Sequence, residues 1–429
     1  MTEALGPFLR RAWRWARRRP AVQATAARLG LPTAEVDIPE VTPMTARPSA
    51  FDRPRLNLLL PTIRPSHVFG GISTALHFFD ILKAQDADVR VILTDHDWRG
   101  EPLPAALAGW EVRDASAEDR PGRCIVSMGD RAARTLPVGP GDLFVATAWW
   151  TAYSAQRLVP WQAAQYGIAA RPLVYLVQDH EPGFYPLSSR YLLSRSTYEY
   201  PLPMVGVFNT GLLADFFAQA GYAFSARHAF EPELNPSLAA ARAGLQRLDK
   251  ERLLILYGRP GVPRNAFELV VQGVRAWAAR DPSAAQWRIE SLGEQHQDIA
   301  LPGGARIASR GKLSLDEYAQ ALTQAGLGLS LMLSPHPSYP PLEMAEFGVQ
   351  VVTNRHENKD LGARSPFIHS LGSVTPETIA AELERLAAPW RAAGRVAVDL
   401  APGSLFAPAG TAFHFIPELR RALGLAADA

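Results

Sequence analysis

Short, continuously apolar runs recur along this chain, separated by amphipathic stretches of helical period. The first is "RLNLLLP" from Arg55, followed by a loop ending in Gly70-Gly71 and the helix-like "ISTALHFFDILKA". "DVRVILTD", "RCIVSM", "DLFVATAWW", "LVYLVQ" and "MVGVFNT" come next, several with helical stretches between them. Runs apolar on every residue suit strands buried on both faces, and their alternation with helices predicts a parallel sheet covered on both sides. The alternation pauses over "EPELNPSLAAARAGLQRLDKE" and restarts with "RLLILYG", "NAFELVVQGVRAWAAR", "WRIESLG", "LSLDEYAQALTQA", "LGLSLML" and "VQVVTN". The pattern predicts two α/β domains, at 51–235 and 250–410, after an extension and linker over 1–50. A final helix at about 412–425 is expected to return to the first domain. Ligands of open parallel sheets bind beyond the carboxyl ends of the strands, so candidate site residues are those just after each run.

Length agrees with more than one domain: 429 residues exceed one ordinary core. The net charge of +2 excludes a protein that binds nucleic acid by bulk electrostatics. A single cysteine, Cys124, excludes a disulfide within the chain and is expected in the core. No apolar run reaches the roughly 18 residues of a spanning helix, and the N-terminus lacks the apolar core of a signal peptide; a cytoplasmic location is expected. "FLRRAWRWARRRP" carries six arginines and no acid over residues 8–20, interleaved with Trp13 and Trp15. That segment reads either as a peripheral contact with anionic lipid on the inner membrane face or as a basic leader.

The chemistry concentrates in the second half. "GRPGVPRNAF" follows the strand that opens the second domain and places Arg259 and Arg264 before a helix, an arrangement suited to phosphate. Lys312 follows a strand in "RGKLSLDEY". Three cations at one set of strand ends can neutralise a leaving diphosphate. In "SPHPSYPPLEMAEFGVQVVTN", Pro340 and Pro341 suit a helix start, and Glu343 is expected on its first turn. A carboxylate there can accept hydrogen bonds from two vicinal hydroxyls, or simply face the helix dipole. In the first domain, "QDHEPGFY" sets Asp179, His180 and Glu181 past a strand, where one can order or deprotonate an acceptor hydroxyl. Trp149 and Trp150 are read at the end of "DLFVATAWW", as core or as a sugar-stacking surface. Asp95 and Asp97 form an Asp-x-Asp pair able to hold a divalent metal. Neither G-x-G-x-x-G after a strand nor G-x-x-x-x-G-K-[ST] is present, which disfavours a nicotinamide enzyme and a P-loop kinase.

Taken together, "HVFGGISTALHF", "YLVQDHEPGFYP", "LYGRPGVPRNAFEL", "GKLSLDEYA" and "SLMLSPHPSYPPLEMAEFGVQVVTNRHENKDL" resemble the WsaF-type rhamnosyltransferases, retaining family-4 glycosyltransferases of GT-B fold. The resemblance runs from about Arg55 to the C-terminus. It implies two Rossmann-like domains across a cleft, a nucleotide-diphosphate sugar donor such as dTDP-L-rhamnose, a glycan or lipid-linked glycan acceptor, and neither metal nor other cofactor. By resemblance, Arg259, Arg264 and Lys312 hold the diphosphate and Glu343 the ribose-type sugar. Gly70 and Gly71 let the backbone approach donor phosphates and acceptor, and Asp179 or His180 serves the acceptor hydroxyl. The family pattern has a second glutamate eight residues before Glu343; here that position is Pro335, so Ser334 or His336 is expected to meet the transferred sugar. The rival readings are a metal-dependent transferase using Asp95 and Asp97, and a silent nucleotide-sugar-binding protein.

Overall fold

The computed structural model describes residues 37–64, 70–83, 87–98, 100–131 and 133–425. Residues up to Thr42 form a separate unit, described only by the 3-10 turn Pro39–Val41. The expected membrane contact at residues 8–20 lies outside the described residues. From Pro43 onward the chain forms the α/β unit that carries the site.

Its first sheet has eight parallel strands in the order Ala226–Phe230, Met204–Asn209, Leu173–Val177, Asp142–Ala146, Arg55–Leu60, Asp88–Leu93, Arg123–Ser127 and Glu111–Arg113. Every residue of Arg55–Leu60, Asp142–Ala146, Leu173–Val177 and Met204–Asn209 is buried, as their largely apolar character predicts. Cys124 lies in this core. At the amino ends of the strands, Arg55 is clamped by Asp142 (2.7 Å) and Asp119 (2.6 Å), and Arg90 donates to Asn57 Oδ1 (2.7 Å). Burial, aided by the neighbouring Arg55 charge, holds Arg90 down to about 10. This paired network keeps charge buried at the end of the sheet away from the loops considered below.

The second sheet runs Ile299–Ala300, Arg306–Gly311, Arg288–Gly293, Arg247–Gly258, Ala325–Leu329, Gln350–Asn354 and Ile368–Leu371. It is parallel except for Ile299–Ala300 and a further strand, Arg395–Asp399, antiparallel to the start of Arg247–Gly258. The terminal helix Ile416–Ala422 packs on the first domain through Phe413, Phe415, Ile416, Leu419 and Leu423. Arg420 donates to the carbonyls of Ile81, Leu82 and Lys83 (3.0, 2.9 and 2.7 Å). A cation on the last carbonyls of helix Gly71–Leu82 satisfies groups the helix cannot, at the negative end of its dipole.

Three sequence expectations shift. Residues 43–50 are not all linker, because strand Thr45–Pro48 pairs with Thr135–Val138. The pause at 231–251 contains helix Pro236–Arg242 and the first half of the long central strand. Trp149 and Trp150 do not end a strand; they begin helix Trp149–Tyr166, and Trp149 is fully buried with its indole donating to Tyr185 Oη (2.9 Å).

Candidate active site

The carboxyl ends of the two sheets meet. Asp179, two residues beyond strand Leu173–Val177, accepts from Arg264 across the cleft at 3.1 Å and from the hydroxyl of Ser334, while its Oδ1 also takes the His180 amide (2.8 Å). Ser334 follows strand Ala325–Leu329 and is buried. Arg264 comes from the 3-10 turn Pro263–Asn265 ahead of helix Phe267–Arg280, and its guanidinium lies over the Phe184 ring, 4.1 Å from the centroid. Further bridges run from Tyr339 Oη to Asn209 (2.9 Å) and from Asn358 to the Leu212 carbonyl (2.9 Å). These contacts fix the facing of the two strand-end surfaces.

Arg259 directly follows the central strand. Gly258 beside it tolerates no side chain: a Cβ would lie 2.0 Å from Ser291 Oγ and 2.8 Å from the Phe267 ring. The Arg259 guanidinium is partly exposed and has no ion pair among the described residues. Lys312 is exposed, just after strand Arg306–Gly311 and ahead of helix Leu315–Gln324, which Ser314 and Glu317 cap reciprocally. That helix carries Tyr318, whose hydroxyl donates to Glu343 Oε2 (3.0 Å) and ties the Lys312 loop to helix Tyr339–Glu346.

Glu343 departs from expectation in register. It is the fifth residue of its helix rather than part of the first turn, so the dipole does little for it. Burial instead drives its carboxyl up to about 7, the Tyr318 hydrogen bond opposing this only in part. An acid held this way, with no cation paired to it among the described residues, is a candidate functional group.

His336 also responds to burial, which holds its imidazole down to about 4. Its Nδ1 accepts the Ser338 amide (3.0 Å), and its own amide donates to Ser334 Oγ (3.0 Å). Ser338 adopts φ 65°, a left-handed conformation costly for a residue with a Cβ, stored in the loop that shapes the site. Gly70, at φ 46°, caps helix Gly71–Leu82, and Gly71 accepts from Gln178 Nε2 (3.0 Å), joining the glycine loop to the strand end that bears Asp179. A Cβ on Gly71 would press on the Gln178 amide at 3.1 Å.

His180 is not brought to this cluster by its contacts. Its ring lies among Tyr198, Phe216, Phe217 and Tyr222, with Nε2 3.2 Å from Tyr222 Oη, and burial holds it down to about 4. Its contacts are thus with the aromatic cluster rather than with Arg264 or Ser334. Glu181 turns a third way, accepting from Tyr175 (2.6 Å) and Tyr198 (3.3 Å), and burial raises it to about 7. Asp95 accepts from Trp150 Nε1 (3.0 Å) and Asp97 from Arg134 (2.6 Å), so each carboxylate has a donor of its own.

Sequence reasoning missed Lys359. Its Nζ donates to the Met332 carbonyl (2.6 Å) beneath the Ser334 loop, and burial lowers it to about 7 against the pull of Asp179. "HENKDL" carries no spacing that marks a lysine as buried.

Models of the WsaF N-terminal and C-terminal domains match residues 55–211 and 252–384, in that order along the chain. The chain belongs to the WsaF family. An O-antigen biosynthesis protein RfbC of Myxococcus xanthus is 30% identical over 292 residues, covering 67% of this chain and 21% of that protein, so the chain spans about a fifth of this relative's length. Sucrose-phosphate synthase of Thermosynechococcus elongatus aligns at TM-score 0.49 and 13% identity over 78% of this chain and 90% of its own. WaaG, a glycosyltransferase involved in lipopolysaccharide biosynthesis, aligns at TM-score 0.49 and 15% identity over 78% and 92%. This WsaF-family chain has the GT-B fold: two Rossmann-like domains with strand ends facing across a cleft and a terminal helix returning to the first.

Proposed function

We propose that this WsaF-family chain is a glycosyltransferase of cell-surface polysaccharide synthesis. It moves L-rhamnose from dTDP-L-rhamnose to a hydroxyl of a glycan or lipid-linked glycan, with retention and without a metal ion. The observation that carries the reading is Arg264 reaching Asp179 across the strand ends of both domains, at the crevice where such sheets bind ligands. Arg259, Arg264 and Lys312 hold the diphosphate and stabilise the charge that develops as it leaves. Glu343 accepts hydrogen bonds from the ribose-type sugar. Asp179 orders the acceptor hydroxyl; Arg264, drawn to the diphosphate, releases one carboxylate oxygen for this. Family membership supports rhamnose, and the basic residues support the diphosphate. A peripheral membrane contact through residues 8–20 fits a lipid-linked acceptor.

Thermal shift against a panel of nucleotide diphosphate sugars, followed by transfer assays in EDTA, tests the reading. Stabilisation by dTDP-L-rhamnose and undiminished transfer in EDTA are expected. Loss of transfer on chelation would favour metal-dependent chemistry, and donor binding without transfer or donor hydrolysis would make the chain a binding protein.

A further inference from the structure

His336 Nε2 is buried and has no hydrogen-bond partner among the described residues. Buried polar atoms are rarely left this way, and each instance in a native fold asks what satisfies it. The other ring nitrogen settles what the missing group must be. A backbone amide can only donate, so Nδ1, which accepts from Ser338 N–H at 3.0 Å, carries a lone pair. A neutral imidazole has one N–H, and it must therefore be on Nε2. The imidazole is held in the neutral form by burial, with the positive charges of Arg264 and Lys359 acting in the same direction and Asp179 opposing them. His336 thus presents one fixed donor to an acceptor that the described residues do not supply.

A second donor shares the predicament. Arg264 Nε is buried without a partner among the described residues, although another nitrogen of the same guanidinium reaches Asp179. Two N–H groups unsatisfied among the described residues, the Arg264 charge being felt at the His336 ring, describe a ligand rich in acceptor oxygens. The two differ in charge, and charge sorts them. The guanidinium suits a phosphate, while a neutral imidazole N–H suits an uncharged oxygen.

We propose that His336 Nε2–H donates a hydrogen bond to an oxygen of the transferred sugar and so distinguishes a nucleotide sugar from the bare nucleotide. The inference rests on the donor-site reading above. The ring is held for this by the Ser334–Ser338 loop, which bonds to itself at both ends of the histidine and carries the left-handed Ser338.

Two substitutions separate this role from a purely structural one. His336→Asn sets an amide oxygen near the place of Nδ1, keeping the Ser338 bond while removing the outward donor. His336→Gln carries its amide nitrogen to the place of Nε2, keeping the donor while giving up the Ser338 bond. Affinities for dTDP and dTDP-L-rhamnose are measured calorimetrically on the full chain for wild type and both variants. The expected result is an unchanged dTDP affinity throughout, with dTDP-L-rhamnose weakened about tenfold in His336→Asn and largely retained in His336→Gln. Equal weakening of both ligands would assign the contact to the phosphates or to loop structure and overturn the proposal, as would His336→Asn that keeps wild-type preference. Wild type that binds neither ligand would overturn the donor-site reading, and this inference with it.

Discussion

Glu343→Gln should stabilise the protein at neutral pH and weaken its hold on the donor. Burial raises the Glu343 carboxyl from its ordinary 4.5 to about 7. Between those values the folded protein holds a proton that the unfolded chain has released, so stability falls as pH rises through this window. The full loss corresponds to about 3 kcal/mol and is complete above pH 7. Below about pH 4.5 both states are protonated and the term vanishes. Glutamine cannot ionise, yet its amide oxygen still accepts from Tyr318 where the carboxylate does at 3.0 Å. The variant should match wild type near pH 4.5, gain steadily to pH 7, and stay ahead by up to about 3 kcal/mol beyond. Donor affinity should move the other way, falling about tenfold, because an amide offers one neutral acceptor where a carboxylate offers two charged ones.

Paired thermal denaturation of the two proteins at pH 5, 6, 7 and 8 reads the first effect directly, since other titrating groups cancel in the difference. Calorimetric titration with dTDP-L-rhamnose reads the second. Wild type should also release a proton on binding near pH 6.5, seen as a heat that depends on buffer ionisation, and the glutamine variant should not. Parallel denaturation curves at all four pH values would refute the buried-carboxyl argument. Unchanged donor affinity in a stabilised variant would leave the burial intact and remove Glu343 from the site.

Arg259→Ala should lower kcat/KM about 100-fold or more with little change in Tm, because the side chain has no ion pair among the described residues to lose; unchanged kcat/KM would take it out of the site. Asp179→Asn should destabilise by about 2 kcal/mol, since Arg264 is left partly buried opposite a neutral amide; a Tm equal to wild type would show the cross-cleft pair to be energetically idle. Gly258→Ala should lower Tm by the equivalent of about 1–3 kcal/mol, as its Cβ would sit 2.0 Å from Ser291 Oγ; a neutral result would mean that Ser291 and Phe267 move aside freely.

The strands were legible because a parallel sheet buried on both faces demands unbroken apolar runs, and "LVYLVQ" or "MVGVFN" meets that demand in few other ways. The site positions were legible for a related reason. All parallel strands of one sheet end on one side, so residues as far apart as Arg259, Lys312 and Ser334 share a surface once each is known to follow a strand. What could not be read is the direction of each side chain within that surface. Asp179, His180 and Glu181 are consecutive, and the chain leaving strand Leu173–Val177 sends them to three environments: the opposite domain, an aromatic cluster, and a pair of tyrosine hydroxyls. Local spacing treats the three as equals. Arg264 and Ser334, brought by the second domain, decide that Asp179 enters the cleft, and no property of residues 179–181 encodes that choice. Lys359 shows the same limit from the other side, since its burial depends on the Met332 carbonyl waiting above it. A site built where two sheets face each other is therefore written half in local sequence and half in the contacts between domains, and the second half is what separates Asp179 from His180.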